Sequence, residues 1–140
     1  MADQTCNNTT FGKMTYDHGW CRSDKISIFG SIYPLKILVA AYSGKPITDK
    51  QERAYRIFSK DKDKYLGTVS DALRKYVKNN NITASVADDD ELRDEVTPKT
   101  LLITRDGMVV LLLECKWDVE HGIGVELLPK VTVGSQDSFL

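Results

Sequence analysis

Leu101-Leu102-Ile103-Thr104-Arg105-Asp106-Gly107-Met108-Val109-Val110-Leu111-Leu112-Leu113 sets two aliphatic runs on either side of a polar turn. Each run is short, rich in aliphatic side chains and bounded by turn residues, the pattern of β-strands. Asp106-Gly107 is the preferred dipeptide of a two-residue hairpin, in which both central positions take positive φ. The stretch therefore predicts an antiparallel hairpin.

Upstream, Lys13–Asp17 predicts a short strand with Met14 and Tyr16 on one face. Ile26, Ile28 and Ile32 alternate with Ser27 and Ser31 around Gly30, giving two strands or one bulged strand. Leu35–Tyr42 is more continuously apolar, broken only by Lys36, and is bounded by Pro34 and Ser43-Gly44-Lys45-Pro46, as for a central strand buried on both faces. Downstream, Gly122–Leu128 and Lys130–Val133, separated by Pro129, supply one or two further strands.

The middle of the chain changes period. Thr48-Asp49-Lys50-Gln51 matches a capping box, and Ala54, Tyr55 and Phe58 follow at helical spacing, so a helix is expected from Asp49 to Ser59. Lys60–Lys64 alternates in charge and reads as a solvated connection. A second helix, Lys64–Asn79, carries the stripe Leu66, Val69, Leu73, Tyr76 and Val77. It ends at Asn79-Asn80-Asn81, where asparagine tolerates a left-handed cap. Residues 82–99 are open between a short helix and a loop. The resulting order, β-β-β-α-α-β-β-β, is that of an α+β fold: a mainly antiparallel sheet with two helices packed on one face. Residues 1–10 are expected to be a disordered tail, and 11–140 a single domain.

A net charge of −1, from 19 basic and 20 acidic side chains, gives no electrostatic footprint for nucleic acid. No apolar run approaches a membrane span, and the N-terminus lacks the basic and hydrophobic segments of a signal peptide. Cys6, Cys21 and Cys115 have no metal-ligand or disulfide spacing, which fits a reducing cytoplasm.

Lys116-Trp117-Asp118-Val119-Glu120-His121-Gly122-Ile123-Gly124-Val125 concentrates the polar chemistry. Asp118, Glu120 and His121, completed by His18, suggest a metal-dependent hydrolase. Alternate side chains on extended backbone diverge, however. The competing reading is a structural corner: Asp118 caps a turn, His121 bonds to backbone, and Gly122 and Gly124 permit close packing. Trp117 then closes one end of the sheet, while Trp20 serves as either an interface anchor or a structural residue. Cys21 and Cys115 could be nucleophiles beside His18 or His121, but Cys115 continues an apolar strand as a buried small hydrophobe and Cys21 lies in the turn His18–Arg22. Asp88, Asp89, Asp90, Glu91, Asp94 and Glu95 form an acidic segment suited to a solvated loop or to docking on a basic partner.

Trp117–Val125, followed by Val133-Gly134-Ser135-Gln136-Asp137-Ser138-Phe139-Leu140, is similar to the ending of a group of small uncharacterised bacterial domains. In these a Trp-Asp-x-Glu-His-Gly-[Ile/Leu]-[Gly/Ala] turn precedes the last strand and a Gly-x-Gln-Asp tail closes the chain. Gly19-Trp20 and Arg105-Asp106-Gly107 also fit, and the resemblance covers residues 16–140. Several families of this kind resemble immunity proteins encoded beside bacterial toxins, including contact-dependent growth inhibition systems. The resemblance implies a cytoplasmic, non-enzymatic binding protein without cofactor or metal, a monomer or weak homodimer, whose partner is a cognate toxin such as a basic nuclease. The acidic segment and Trp20 are then the expected contact residues. A plain structural or oligomerisation domain is the remaining alternative.

Overall fold

The aliphatic runs at 101–113 become the inner strands of an eight-stranded sheet. A computed structural model describes residues 4–140. In chain order the elements are β1 (Thr5–Asn8), β2 (Gly12–Tyr16), β3 (Trp20–Ile28), β4 (Ser31–Val39), α1 (Asp49–Lys60), α2 (Lys62–Asn79), α3 (Asp89–Glu95), β5 (Val96–Ile103), β6 (Val109–Cys115), β7 (Ile123–Leu128) and β8 (Thr132–Ser135), followed by a 3-10 turn at Gln136–Ser138.

The strands lie side by side in sequence order. Every neighbouring pair is antiparallel except β4 with β5, which run parallel through Lys36↔Thr100 to Val39↔Ile103. Parallel strands cannot be joined by a tight turn, because the chain must return to its starting end. All three helices occupy that one return connection.

Strand alternation separates two apolar clusters. Ile37, Val39, Leu101, Ile103, Leu111, Leu113, Ile123 and Val125 join Ala54, Phe58, Leu66, Val69, Leu73, Val77 and Leu92 from the helices in the main core. Side chains of opposite parity, Leu102, Val110 and Leu112, form a second cluster with Leu38, Ala40, Met108 and Phe139, none of them helical.

The expected order of three strands, two helices and three strands becomes four strands, three helices and four strands, and the expectations are modified at four further places. Residues 5–8, expected in a disordered tail, form β1, with Thr5 opposite Thr15 and Asn8 opposite Gly12. Strand pairing there is made by backbone, and Asn8 Oδ1 accepts from Thr10 N (2.8 Å) and Phe11 N (2.9 Å) to close the turn. Residues 1–3 of that expected tail lie outside the described residues. Pro34, read as a boundary, sits inside β4 opposite Lys25. Its missing N–H is tolerated because β5 pairs with β4 only from Lys36 onward.

The 104–108 turn differs in type. Thr104 N donates to Met108 O (2.9 Å) and Gly107 N to Thr104 O (3.0 Å), so the loop has three residues and only Gly107 takes positive φ (85°). This is the turn-plus-bulge hairpin, the next commonest solution. The tight two-residue turn is found instead at Phe29-Gly30, where both φ are positive (54° and 72°) and Ile28 pairs with Ser31.

Finally, the charged run 60–64 is not an extended connection. α1 continues to Lys60 and α2 begins at Lys62, with Asp61 the single break at φ −125°. The capping box of α1 forms as its four residues predict. Its Gln51 is fully buried and also donates from Nε2 to Ala40 O (2.7 Å), fixing the helix start to the end of the parallel pair.

Candidate functional site

One end of the sheet collects the β3–β4 turn, the start of β5 and the β6–β7 turn. α3 delivers the chain to this end. Asp88 caps it, its Oδ1 accepting from Glu91 N (2.9 Å), and Asp89, Asp90 and Glu91 occupy the first turn, where carboxylates are favoured by the unpaired N–H groups. Leu92 is the buried pin that anchors this short helix. Arg93 reaches from α3 to Phe29 O and to Asp90, while Arg74 on α2 donates to Val86 O (2.8 Å) and lies 3.5 Å from Asp89. The acidic segment is therefore a positioned helix and its cap, with Asp88, Asp89, Asp90 and Asp94 exposed.

Lys116 N donates to Glu95 O (2.9 Å), which brings the β6–β7 turn against α3. Within that turn Asp118 O accepts from Gly122 N (2.9 Å). Its carboxylate accepts from His121 N (3.1 Å) and meets His121 Nδ1 at 2.9 Å. The backbone N–H of His121 and then its ring hold the Asp118 carboxyl below the usual range. Gly122 takes φ +67°, and a Cβ there would lie 2.5 Å from Gln136 Nε2 and 2.9 Å from Leu113 O. Gly124 faces the ring of Phe139, which a Cβ would approach to 2.6 Å. Gln136 Nε2 donates to Leu113 O (2.9 Å), so the 3-10 turn is laid across β6 and β7 through both glycines. Trp117 is half-buried against the main core.

Val119 projects from the same turn and is 84% exposed. It stands between two open grooves, one of about 340 Å³ beside Asp94, Glu95 and Glu114, the other of about 270 Å³ beside Glu120, His121 and Gln136. Residues 88–95 and 114–121 together hold nine carboxylates against only Arg93 and Lys116. The two sequence motifs are thus one acidic surface with an apolar tip. Neither Val119 nor Glu114 stood out in the sequence, since a lone valine among acids and the penultimate residue of a strand carry no motif.

His18 does not join this surface. It sits in the β2–β3 turn at φ 60°, with its side chain 97% exposed, and Trp20 beside it pairs with Val39 at the far end of β4. His18 and His121 are therefore at opposite ends of the sheet, because β7 begins at the end where β4 also begins. The expected set of His18, Asp118, Glu120 and His121 does not converge. Among the described residues no three His, Cys, Asp or Glu side chains are grouped for a metal ion.

Of the two roles open to Trp20, interface anchor and structural residue, its surroundings fit the second. It is buried, its Nε1 donates to Lys45 O (2.8 Å), and its ring packs edge-on to Tyr16 at 5.3 Å. Its large apolar surface is already used by the core, leaving nothing for a partner. Burial pushes the thiols of Cys6, Cys21 and Cys115 above the ordinary cysteine range, the reverse of an activated nucleophile.

No curated protein and no solved structure matches the chain. The family model described as "Domain of unknown function (DUF6985)" matches residues 10–140, nearly the whole sequence, and the chain belongs to that family.

Proposed function

We propose that the protein is a bacterial, cytoplasmic immunity protein that neutralises a cognate toxin by covering its active surface. The observation that carries this reading is the joining of α3 and the β6–β7 turn into one acidic surface around Val119. Carboxylates spread over such a surface raise the encounter rate with a basic cleft, such as that of a nuclease. An exposed aliphatic tip gives the bound state a contact that loses water and slows dissociation. The acidic segment, read from its charge, and the Trp117–Val125 turn, which carries the resemblance, contribute to the same face. Trp20 has no part in it.

The test is binding to the protein encoded beside this one, measured by stopped-flow association over a salt series. Asp94→Lys and Glu120→Lys change exposed carboxylates for which no ion pair is seen among the described residues. Together they are expected to slow association by about tenfold at low salt and to flatten its salt dependence. Val119→Asp is expected to act mainly on dissociation. Association rates equal to wild type in the double variant would remove this surface from the mechanism.

A further inference from the structure

α2 overhangs the last strand of the sheet. β8 ends the strand order, so its outer edge has no partner among the described strands. Between that edge and α2 runs an open groove of about 520 Å³, with Val131 and Val133 on one wall and Ala72 and Tyr76 on the other. Gly67 lies at its rim in the interior of an 18-residue helix, where a Cβ would meet nothing within 4 Å. Its exchange for alanine would favour the helix, so isolated helix stability does not explain it. A small rim residue leaves room for another backbone.

β8 is guarded as an edge by its shortness and by Pro129 and Lys130 before it, but not within the strand itself. Thr132-Val133-Gly134-Ser135 contains no proline and no charge, its pairing with β7 shows no bulge, and Val131 just before it is 44% exposed. The charges above the groove are self-complementary. Asp71 and Lys75 are one turn apart on the rim of α2 and both are exposed; Asp71 also meets Arg74 Nη1 of its own helix at 3.2 Å, so it would be shared between Arg74 and the second copy. A two-fold axis normal to the sheet would set β8 antiparallel to β8 of a second copy and run the two α2 helices antiparallel. Asp71 of each copy then faces Lys75 of the other, as an isologous interface requires.

We propose that this groove is a homodimer interface in which β8 pairs with β8 of a second copy beneath the two α2 helices. The shortness of the strand makes the dimer dissociate on dilution. The proposal is independent of toxin binding, which uses α3 and the β6–β7 turn, so each fails or survives alone.

The experiment is light scattering and sedimentation of the full chain over a dilution series. The expected result is a mass rising from one copy to two with concentration. Lys75→Asp and Val131→Asp should each weaken self-association by about tenfold or more. The charge swap Asp71→Lys with Lys75→Asp should restore it, and thermal unfolding of each variant at low concentration verifies that the monomer folds. Hydrogen exchange at residues 132–135 should slow as the dimer forms. A single-copy mass throughout would overturn the proposal, even if a different protein were found to protect those amides. A dimer indifferent to both single variants, or one not restored by the swap, would overturn it too.

Discussion

Gln51→Met replaces the one fully buried polar side chain of α1 by an apolar chain of similar volume. The wild-type amide works at both ends. Its Oε1 accepts from Thr48 N at 3.0 Å, completing the capping box, and its Nε2 donates to Ala40 O at 2.7 Å and more weakly to Ile103 O at 3.4 Å. Ile103 O keeps a donor in the variant, because Ala40 N reaches it at 3.0 Å. The loss is therefore the partner of one part-buried acceptor, about 0.5–1.5 kcal/mol, plus the reciprocal half of the capping box, about 0.5–1 kcal/mol. Apolar packing of the methionine offsets little of this, since the site is built around the amide. The expected destabilisation is about 1–2.5 kcal/mol, read as a lower urea midpoint at unchanged slope.

Gln51→Glu sharpens the test. It keeps the acceptor for Thr48 N but turns a second oxygen toward Ala40 O. Burial beside a carbonyl favours the protonated acid in the folded state, so the folded pKa is raised above the unfolded one. Its stability is then greatest below the unfolded pKa and is lost as pH rises through the folded pKa. A Gln51→Met variant within about 0.5 kcal/mol of wild type, or a Gln51→Glu variant without that pH dependence, would refute the reasoning.

Other consequences follow from the same contacts. Asp118 has a depressed folded pKa, so its contribution is present above the unfolded pKa and is lost as pH falls through the folded value; Asp118→Asn should flatten part of the acid limb of a pH–stability curve. Gly124→Ala sets a methyl against the Phe139 ring, so the Gln136–Ser138 turn should detach, expose residue 139 to chymotrypsin, and cost about 1–3 kcal/mol. Trp20→Ala should cost about 3–5 kcal/mol in chemical denaturation. In Trp20→Phe, which keeps an aromatic core, binding to any partner should be unchanged; a selective loss of binding there would return Trp20 to the interface.

Local chemistry was legible wherever a few neighbouring residues settle it. Thr48 and Gln51 announce the start of α1 because both halves of the capping box lie within four residues. Asn81 ends α2 at φ 54° because an asparagine side chain tolerates that conformation. The β5–β6 hairpin was legible in its strands but not in its turn type, since Thr104 adds a side-chain acceptor for Met108 N (3.0 Å) and lengthens the loop by one residue. β1 was not legible at all, because its sequence has no apolar alternation and backbone pairing with β2 creates it.

The site divides along the same line. By itself the sequence determined a mostly antiparallel α+β architecture, an acidic segment and a polar turn with two glycines, because each is written in residue type and short-range spacing. Only the tertiary structure decided which of these meet. It set α3 against the β6–β7 turn, sent His18 to the far end of the sheet, buried Trp20 and placed β8 last in the order of the described strands. The physical reason is that strand order and parallel pairing place residues tens of positions apart at one end or the other, and no local pattern encodes that choice.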